Sequence, residues 1–130
     1  MGVIGDMALD PATARTALAG VRLVNGALAL LAPRFLLRRL GVDAGSGPQP
    51  GIYPFRMFGI RTLVIGAELL LLDGDDRRRA TRLAVLIHAS DTVSAALCGL
   101  RGDLPRRTAV LTTAISGVNT GLAVVATREP

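Results

Sequence analysis

Apolar residues along the chain form four long segments, and short polar stretches separate them. The segments cover residues of about 11–32, 55–72, 80–100 and 107–127. The first follows Asp10-Pro11, where Asp10 can cap a helix and proline suits the first helical position. Each segment is about as long as a helix that crosses a bilayer. The pattern therefore predicts four helices of membrane-spanning length.

The fourth segment favours a membrane protein over a soluble one. Residues 108–127 contain no charged side chain over about 30 Å of helix. A soluble helix of that length needs a charged face, whereas this one offers only Thr, Ser and Asn. The connecting stretches are rich in charge, which is typical of multi-pass membrane proteins. A soluble four-helix bundle is the alternative, because the chain has no Trp and a single Tyr for the membrane interfaces.

The stretch PRFLLRRLG after the first segment alternates large apolar residues with arginines. This pattern predicts a short helix on the membrane surface with its arginines outward. A solvated turn after Pro33 is the alternative. The predicted architecture is all-α: a four-helix transmembrane bundle with short loops and an interfacial helix between the first two spans. We expect a single membrane domain over residues 1–130.

Composition narrows the partners and the location. The net charge is +5, and all fifteen basic residues are arginine. They lie in clusters between apolar segments, with few aromatic residues for stacking, so lipid headgroups suit them better than nucleic acid. One His and one Cys give no zinc motif, and no metal or cofactor is predicted. We expect a multi-pass protein of the cell membrane. Its orientation stays open, because six arginines lie near each end of the predicted bundle.

We single out five ionisable residues within the predicted spans, where a charge is unfavourable. A charged side chain at the bilayer centre costs about 2.5–3.5 kcal/mol on insertion scales. We therefore expect these residues to face the bundle interior and to pair: Arg22, Arg61, Glu68, His88 and Asp91. With His88 neutral their formal charges balance, as a paired buried network requires.

Helical periodicity places one polar stripe on each predicted span, because residues three, four or seven positions apart share a face. In chain order the stripes are Arg22 with Asn25, Arg61 with Glu68, His88 with Asp91, and Thr112 with Ser116 and Asn119. The simplest assembly points all four stripes toward one interior cluster.

Such a cluster has the side chains that proton transfer or ligand binding needs. Histidine changes charge near neutral pH, and a carboxylate one turn away can orient it. The candidate catalytic residues are Glu68, His88 and Asp91. The candidate binding residues are Arg22, Asn25, Arg61 and Asn119, together with Arg56, which lies off the stripe near the start of its span as an entrance residue. A purely structural network that fixes helix register is the alternative.

Small residues four positions apart predict where helices pack closely in lipid. Gly117 and Gly121 form such a pair in the fourth segment, and Ala95 and Gly99 form one in the third.

Several stretches of the chain resemble a known family. An arginine-bearing first span is followed by RMFGIRTLVIGAELLLL, by LIHASDTVSAAL with a mid-helix Asp91, and by GDLPRRTA. Together they resemble a family of small bacterial four-helix integral membrane proteins of unknown function, over residues of about 15–127. The R-x-F-G-x-R stretch at residues 56–61 and Asp91 carry the resemblance best. It implies a fold and a bacterial membrane location, and no activity.

Three functions stay open, and a homo-oligomer is compatible with each. In the first, the polar cluster is a structural network, or the chain is an accessory module for a membrane protein partner. In the second, the chain binds or transforms a lipophilic small molecule by means of its acid–base residues. In the third, it is a small proton-coupled transporter.

Overall fold

The computed structural model describes residues 9–42 and 47–130, and within them every regular element is a helix. The five helices are α1 (Pro11–Leu31), α2 (Pro33–Arg39), α3 (Ile52–Leu71), α4 (Gly74–Leu100) and α5 (Arg106–Ala126). The all-α prediction is confirmed, and so is a short helix between the first two long ones.

Both ends of the first helical region follow local sequence signals. The Asp10 carboxylate accepts a hydrogen bond from the backbone N–H of Thr13 at 3.1 Å, and Pro11 opens α1. Pro33 cannot continue α1, so the chain bends at Ala32 and restarts as α2. Gly41 ends α2 with a φ of +94°, and the N–H of Val42 returns to the carbonyl of Leu37.

Helix α4 begins at Gly74, about two turns before the predicted span at residue 80. Two acidic residues in its first turn, Asp75 and Asp76, complement the positive end of the helix dipole. The sequence predicts a loop for this charged stretch, because apolar sequence stops there, whereas the structure continues the helix through it.

The long helices form two antiparallel pairs. Helix α1 packs closely against α3, and α4 against α5. The pairs join mainly where α1 meets α5, whereas α3 and α4 touch only sparsely. A groove therefore remains between α3 and α4.

Glycines set the closeness of the α1–α3 pair. A Cβ on Gly26 would lie 2.8 Å from the Gly59 carbonyl oxygen, and a Cβ on Gly59 would lie 2.8 Å from the Gly26 carbonyl oxygen. The glycine pair predicted in α5 packs differently: a Cβ on Gly121 would meet nothing within 4 Å, and one on Gly117 would only touch Thr92. The expected tight packing at Gly117 and Gly121 is thus wrong for this bundle, whereas Gly99 does pack against Ala109.

The distribution of side-chain size is that of a membrane bundle. Small residues such as Ala19, Ala84 and Ala123 are buried, whereas mid-helix Leu86 and Val118 are each 63% exposed. The largest fully buried side chains are Leu18, Leu69, His88, Asn119 and Thr62, three of which are polar. In water, large apolar side chains would fill the core, whereas in lipid small residues let helices approach.

Three helices are long and apolar enough to cross a membrane: α1, α4 and α5. These helices indicate a multi-pass helical membrane protein. Helix α3 was predicted as a fourth span but is not among them. It carries three charged residues, Arg56, Arg61 and Glu68, within its 20 positions.

Candidate functional site

Arg22 is the most deeply buried charge at the centre of the bundle. Arg22 lies halfway along α1, and the residue is 3% exposed. One guanidinium nitrogen donates to the hydroxyl of Thr62 at 2.9 Å, and the group lies 5.6 Å from the centre of the Phe58 ring. Its Nε–H has no hydrogen-bond partner among the described residues. Arg22 is therefore buried with one donor unused.

Arg61 and Asp91 connect α3 to α4. Their guanidinium and carboxylate groups form an ion pair at 3.2 Å. Arg61 also lies 5.4 Å from the centre of the Phe58 ring, so both arginines contact the same aromatic side chain. The pair is partly open, with side-chain exposures of 47% for Arg61 and 29% for Asp91.

His88 is fully buried beside these charges. Arg22, Arg61 and Asp91 all act on it electrostatically. Neither ring nitrogen has a hydrogen-bond partner within residues 9–42 and 47–130. Three of the predicted stripes thus meet around Arg22, Arg61, His88 and Asp91, which we call the central cluster.

A cavity of about 450 Å³ borders the central cluster. Arg22, Asn25 and Asp91 line it, and Ser94, Thr112 and Ser116 add hydroxyl groups. The rest of the wall is largely apolar: Leu36, Leu40, Gly51, Pro54, Phe55, Phe58, Ala95, Leu104 and Ile115. Every helix contributes to the wall, and its volume lies in the range of small-molecule sites.

Helix α2 closes one side of this cavity. Leu36 and Leu40, one turn apart, line the cavity, whereas Arg38 and Arg39 are exposed. The alternation of leucine and arginine in the sequence therefore separates a cavity-facing side from an outward side.

The remaining predicted site residues lie apart from the cavity. Glu68 is exposed in the groove between α3 and α4, where a second cavity of about 320 Å³ also borders Arg61. Arg56 is exposed near the start of α3. Asn119 is buried inside the bundle, and its amide nitrogen has no partner among the described residues. The structure does not bring Glu68 to His88 and Asp91.

Sequence reasoning missed two residues of the site, Thr62 and Phe58. Phe58 and Thr62 are four positions apart, so they share a face of α3, and Arg61 is one turn from Phe58. That spacing is a usable signal, but neither residue is charged, so the cost of a charge in lipid does not point to them.

A second group of polar contacts lies at the end of the bundle away from α2. Glu129 pairs with Arg15 at 2.8 Å and with Arg77 at 3.7 Å. Both arginines also donate to carbonyl oxygens at the end of α3, Arg15 to Leu69 and Arg77 to Leu72. The start of α1, the end of α3, the start of α4 and the C-terminal tail therefore meet at one end.

No protein-family model, curated protein or solved structure matches this chain. The resemblance to small bacterial four-helix membrane proteins stays a prediction, although the three candidate spans agree with a small multi-pass membrane protein. Among the described residues, no three His, Cys, Asp or Glu side chains are grouped as metal ligands.

Proposed function

We propose that this chain is a four-span protein of the cell membrane whose interior cavity binds a lipophilic small molecule. The cavity of about 450 Å³ carries the proposal, because its wall combines a mainly apolar lining with a few converging polar groups. It lies between helices of a bundle, which is a common position for ligand sites.

The connectivity of the helices supports α3 as the fourth span. Helix α1 runs from the end that holds Arg15 to the end that holds α2. Helix α4 starts near Glu129, at the Arg15 end again. If α1 and α4 cross the bilayer, the chain between them must return across it, and α3 is the helix that does so alongside α1.

Charge on α3 does not conflict with a crossing. Arg61, midway along the helix, is paired with Asp91 and lies over Phe58. Glu68 and Arg56 each lie about one turn from an end of α3, where long polar side chains can reach the headgroups.

Binding fits the geometry better than catalysis or transport. The three acid–base residues do not meet in the cavity: Asp91 lines it and is paired with Arg61, His88 does not line it, and Glu68 lies in the separate groove. Proton-coupled transport through Glu68 would need that carboxyl on the transport path, whereas Glu68 does not line the central cavity.

An accessory module for a membrane protein partner is the second candidate, and the groove between α3 and α4 favours it. Glu68 and part of Arg61 are exposed there beside Leu83 and Ile87. A polar group on a partner helix that paired with Glu68 would lower the cost of an exposed charge near lipid.

Saturable photolabelling tests the ligand-binding proposal. The protein is reconstituted in nanodiscs and labelled with a diazirine-bearing dodecanol, and labelled peptides are mapped with and without excess unlabelled dodecanol. We expect competed labelling on cavity-lining segments, such as those around Phe55 and Ala95. Labelling of outward lipid-facing segments should not saturate.

A cavity-blocking variant and its matched control sharpen the test. Ala95→Phe places a ring at the cavity wall and should abolish the competed labelling, whereas Ala114→Phe adds the same ring at an exposed position of α5. Equal labelling in both variants, or no saturable labelling in the unmodified protein, would contradict the proposal.

A further inference from the structure

We infer that the ligand of the central cavity is a single-chain amphiphile with an anionic head, and that Arg22 binds this head. The inference rests on the proposed ligand-binding function and adds the chemical class of the ligand. It combines the charge of the central cluster, the unused donor of Arg22 and the apolar remainder of the cavity.

The central cluster has an excess of positive charge. The sequence predicted a balanced set, but Glu68 lies outside the cluster. Two arginines then face one carboxylate, and Asp91 is in direct contact with Arg61 rather than Arg22. With His88 neutral, the cluster carries a net charge of +1, and Arg22 shares the single carboxylate of Asp91 with Arg61. An anion on this wall would supply the missing negative charge and stabilise the site.

The hydrogen bonds of Arg22 leave room for such an anion. One terminal nitrogen donates to Thr62, whereas the Nε–H has no partner among the described residues. Guanidinium groups bind carboxylate and phosphate oxygens through adjacent N–H groups, and these charge-assisted bonds are strong. Asn25 lines the same cavity one helical turn away and offers an amide donor to the same head. Arg22 is only 3% exposed, and its side chain lies in the cavity wall.

The rest of the cavity suits a hydrocarbon chain. Leu36 and Leu40 of α2, Phe55 of α3 and Ile115 of α5 form apolar walls. A small hydrophilic anion would leave this surface unfilled, whereas an alkyl chain would cover it and gain apolar burial. The polar part of the cavity therefore suits one anionic head, and the apolar part suits one hydrocarbon chain.

The test compares ligands that share one chain and differ in the head. Competition against the diazirine-bearing dodecanol is measured for dodecanoate, dodecyl phosphate, dodecanol and dodecylamine, with acetate as the anion without a chain and phosphatidylglycerol as an anionic membrane lipid. We expect dodecanoate or dodecyl phosphate to compete about tenfold better than dodecanol, since a charge-assisted hydrogen bond is worth at least that factor. Acetate and phosphatidylglycerol should compete weakly.

The outcomes separate this inference from the function on which it rests. Equal competition by dodecanol and dodecanoate would overturn the anionic head while leaving a lipophilic site. Better competition by dodecylamine would instead assign the head to Asp91 and overturn the inference. Stronger competition by phosphatidylglycerol would assign the cavity to a membrane lipid and overturn the single-chain ligand. Absence of saturable labelling would remove both proposals.

Two arginine variants locate the head. Arg22→Gln should abolish the preference for the anionic head, whereas Arg79→Gln, which removes the same charge from an exposed position of α4, should keep it. If Arg22→Gln does not fold, Asn25→Leu replaces it: it removes the neighbouring donor and should weaken the preference for the anionic head, and an unchanged preference would contradict a head site beside Arg22 and Asn25. A preference that survived in a folded Arg22→Gln protein would contradict the role of Arg22.

Discussion

Gly26 and Gly59 show how single residues set the geometry of this bundle. The two glycines face each other across α1 and α3, and each would place a Cβ 2.8 Å from backbone atoms of the other helix. A backbone cannot move aside as a flexible side chain can. These glycines therefore determine how closely α1 and α3 pack, and with that the position of Arg22 relative to Thr62.

Replacing Gly26 with alanine tests this packing at the scale of one methyl group. Although alanine favours helix by about 1 kcal/mol over glycine, Gly26→Ala should lower stability by about 1–3 kcal/mol because the helices must separate. Gly121→Ala is the control, since its Cβ meets nothing within 4 Å, and we expect it to be neutral or slightly stabilising. Thermal unfolding in a mild detergent measures both. Similar changes in the two variants would contradict the packing role of Gly26.

The same comparison shows what residue patterns can predict. The sequence motif at Gly117 and Gly121 is local and visible, but close packing requires a partner helix at the right rotation. Gly26 and Gly59 are far apart in sequence, and no spacing rule joins them. The burial or pairing of ionisable residues is easier to predict, because a charge in lipid is unfavourable. Arg22 and His88 are indeed buried, and Arg61 is paired with Asp91.

At the scale of elements, the bundle consists of two helix pairs with few contacts between α3 and α4. The Arg61–Asp91 ion pair bridges this sparse contact at mid-height. The Glu129 contacts with Arg15 and Arg77 bridge the pairs again at one end. Polar contacts therefore supply part of the association that apolar packing does not supply between these helices.

A double-mutant cycle on Arg61 and Asp91 measures the bridge. Asp91→Asn alone should destabilise the protein, since Arg22 and Arg61 then repel each other around Phe58 without a carboxylate. Adding Arg61→Gln should recover part of that loss, with a coupling of about 0.6–2 kcal/mol, as found for polar contacts in membrane bundles. Asp103→Asn, a change of the same kind at an exposed loop residue, should have little effect. Additive effects of the two substitutions would show that the pair does not link α3 to α4.

Both ends of α1 lie where apolar sequence and backbone signals coincide. Asp10-Pro11 and Pro33 fix the ends of α1 through capping and the missing N–H of proline. Helix α4 was predicted too short because the arginine-rich stretch from Arg77 to Arg79 is polar yet helical. Hydropathy indicates where an apolar segment ends, whereas backbone hydrogen bonds determine where the helix begins.

For the whole molecule, the sequence predicts an all-helical membrane protein but cannot assemble the site. Periodicity assigns Glu68 and Arg61 to one face of α3, and both border the groove, but only Arg61 reaches the central cluster, through Asp91. The rotation of each helix about its axis depends on its neighbours. The cavity depends on all five helices together, so no single stretch of sequence contains it.

Topology is the property of the whole molecule that decides whether α3 crosses the bilayer. In a Cys98→Ser background, single cysteines replace Thr13, Arg39, Asp76 or Asp103, all of which are exposed. A membrane-impermeant maleimide is then added to sealed vesicles.

If α3 crosses, Arg39→Cys and Asp76→Cys should label from opposite sides, and Thr13→Cys should label from the same side as Asp76→Cys. The Arg15–Glu129 contact requires this arrangement, because it joins the start of α1 to the tail after α5. Labelling of Arg39→Cys and Asp76→Cys from one side in equal fractions would leave α3 outside the bilayer and would remove the cavity from its interior.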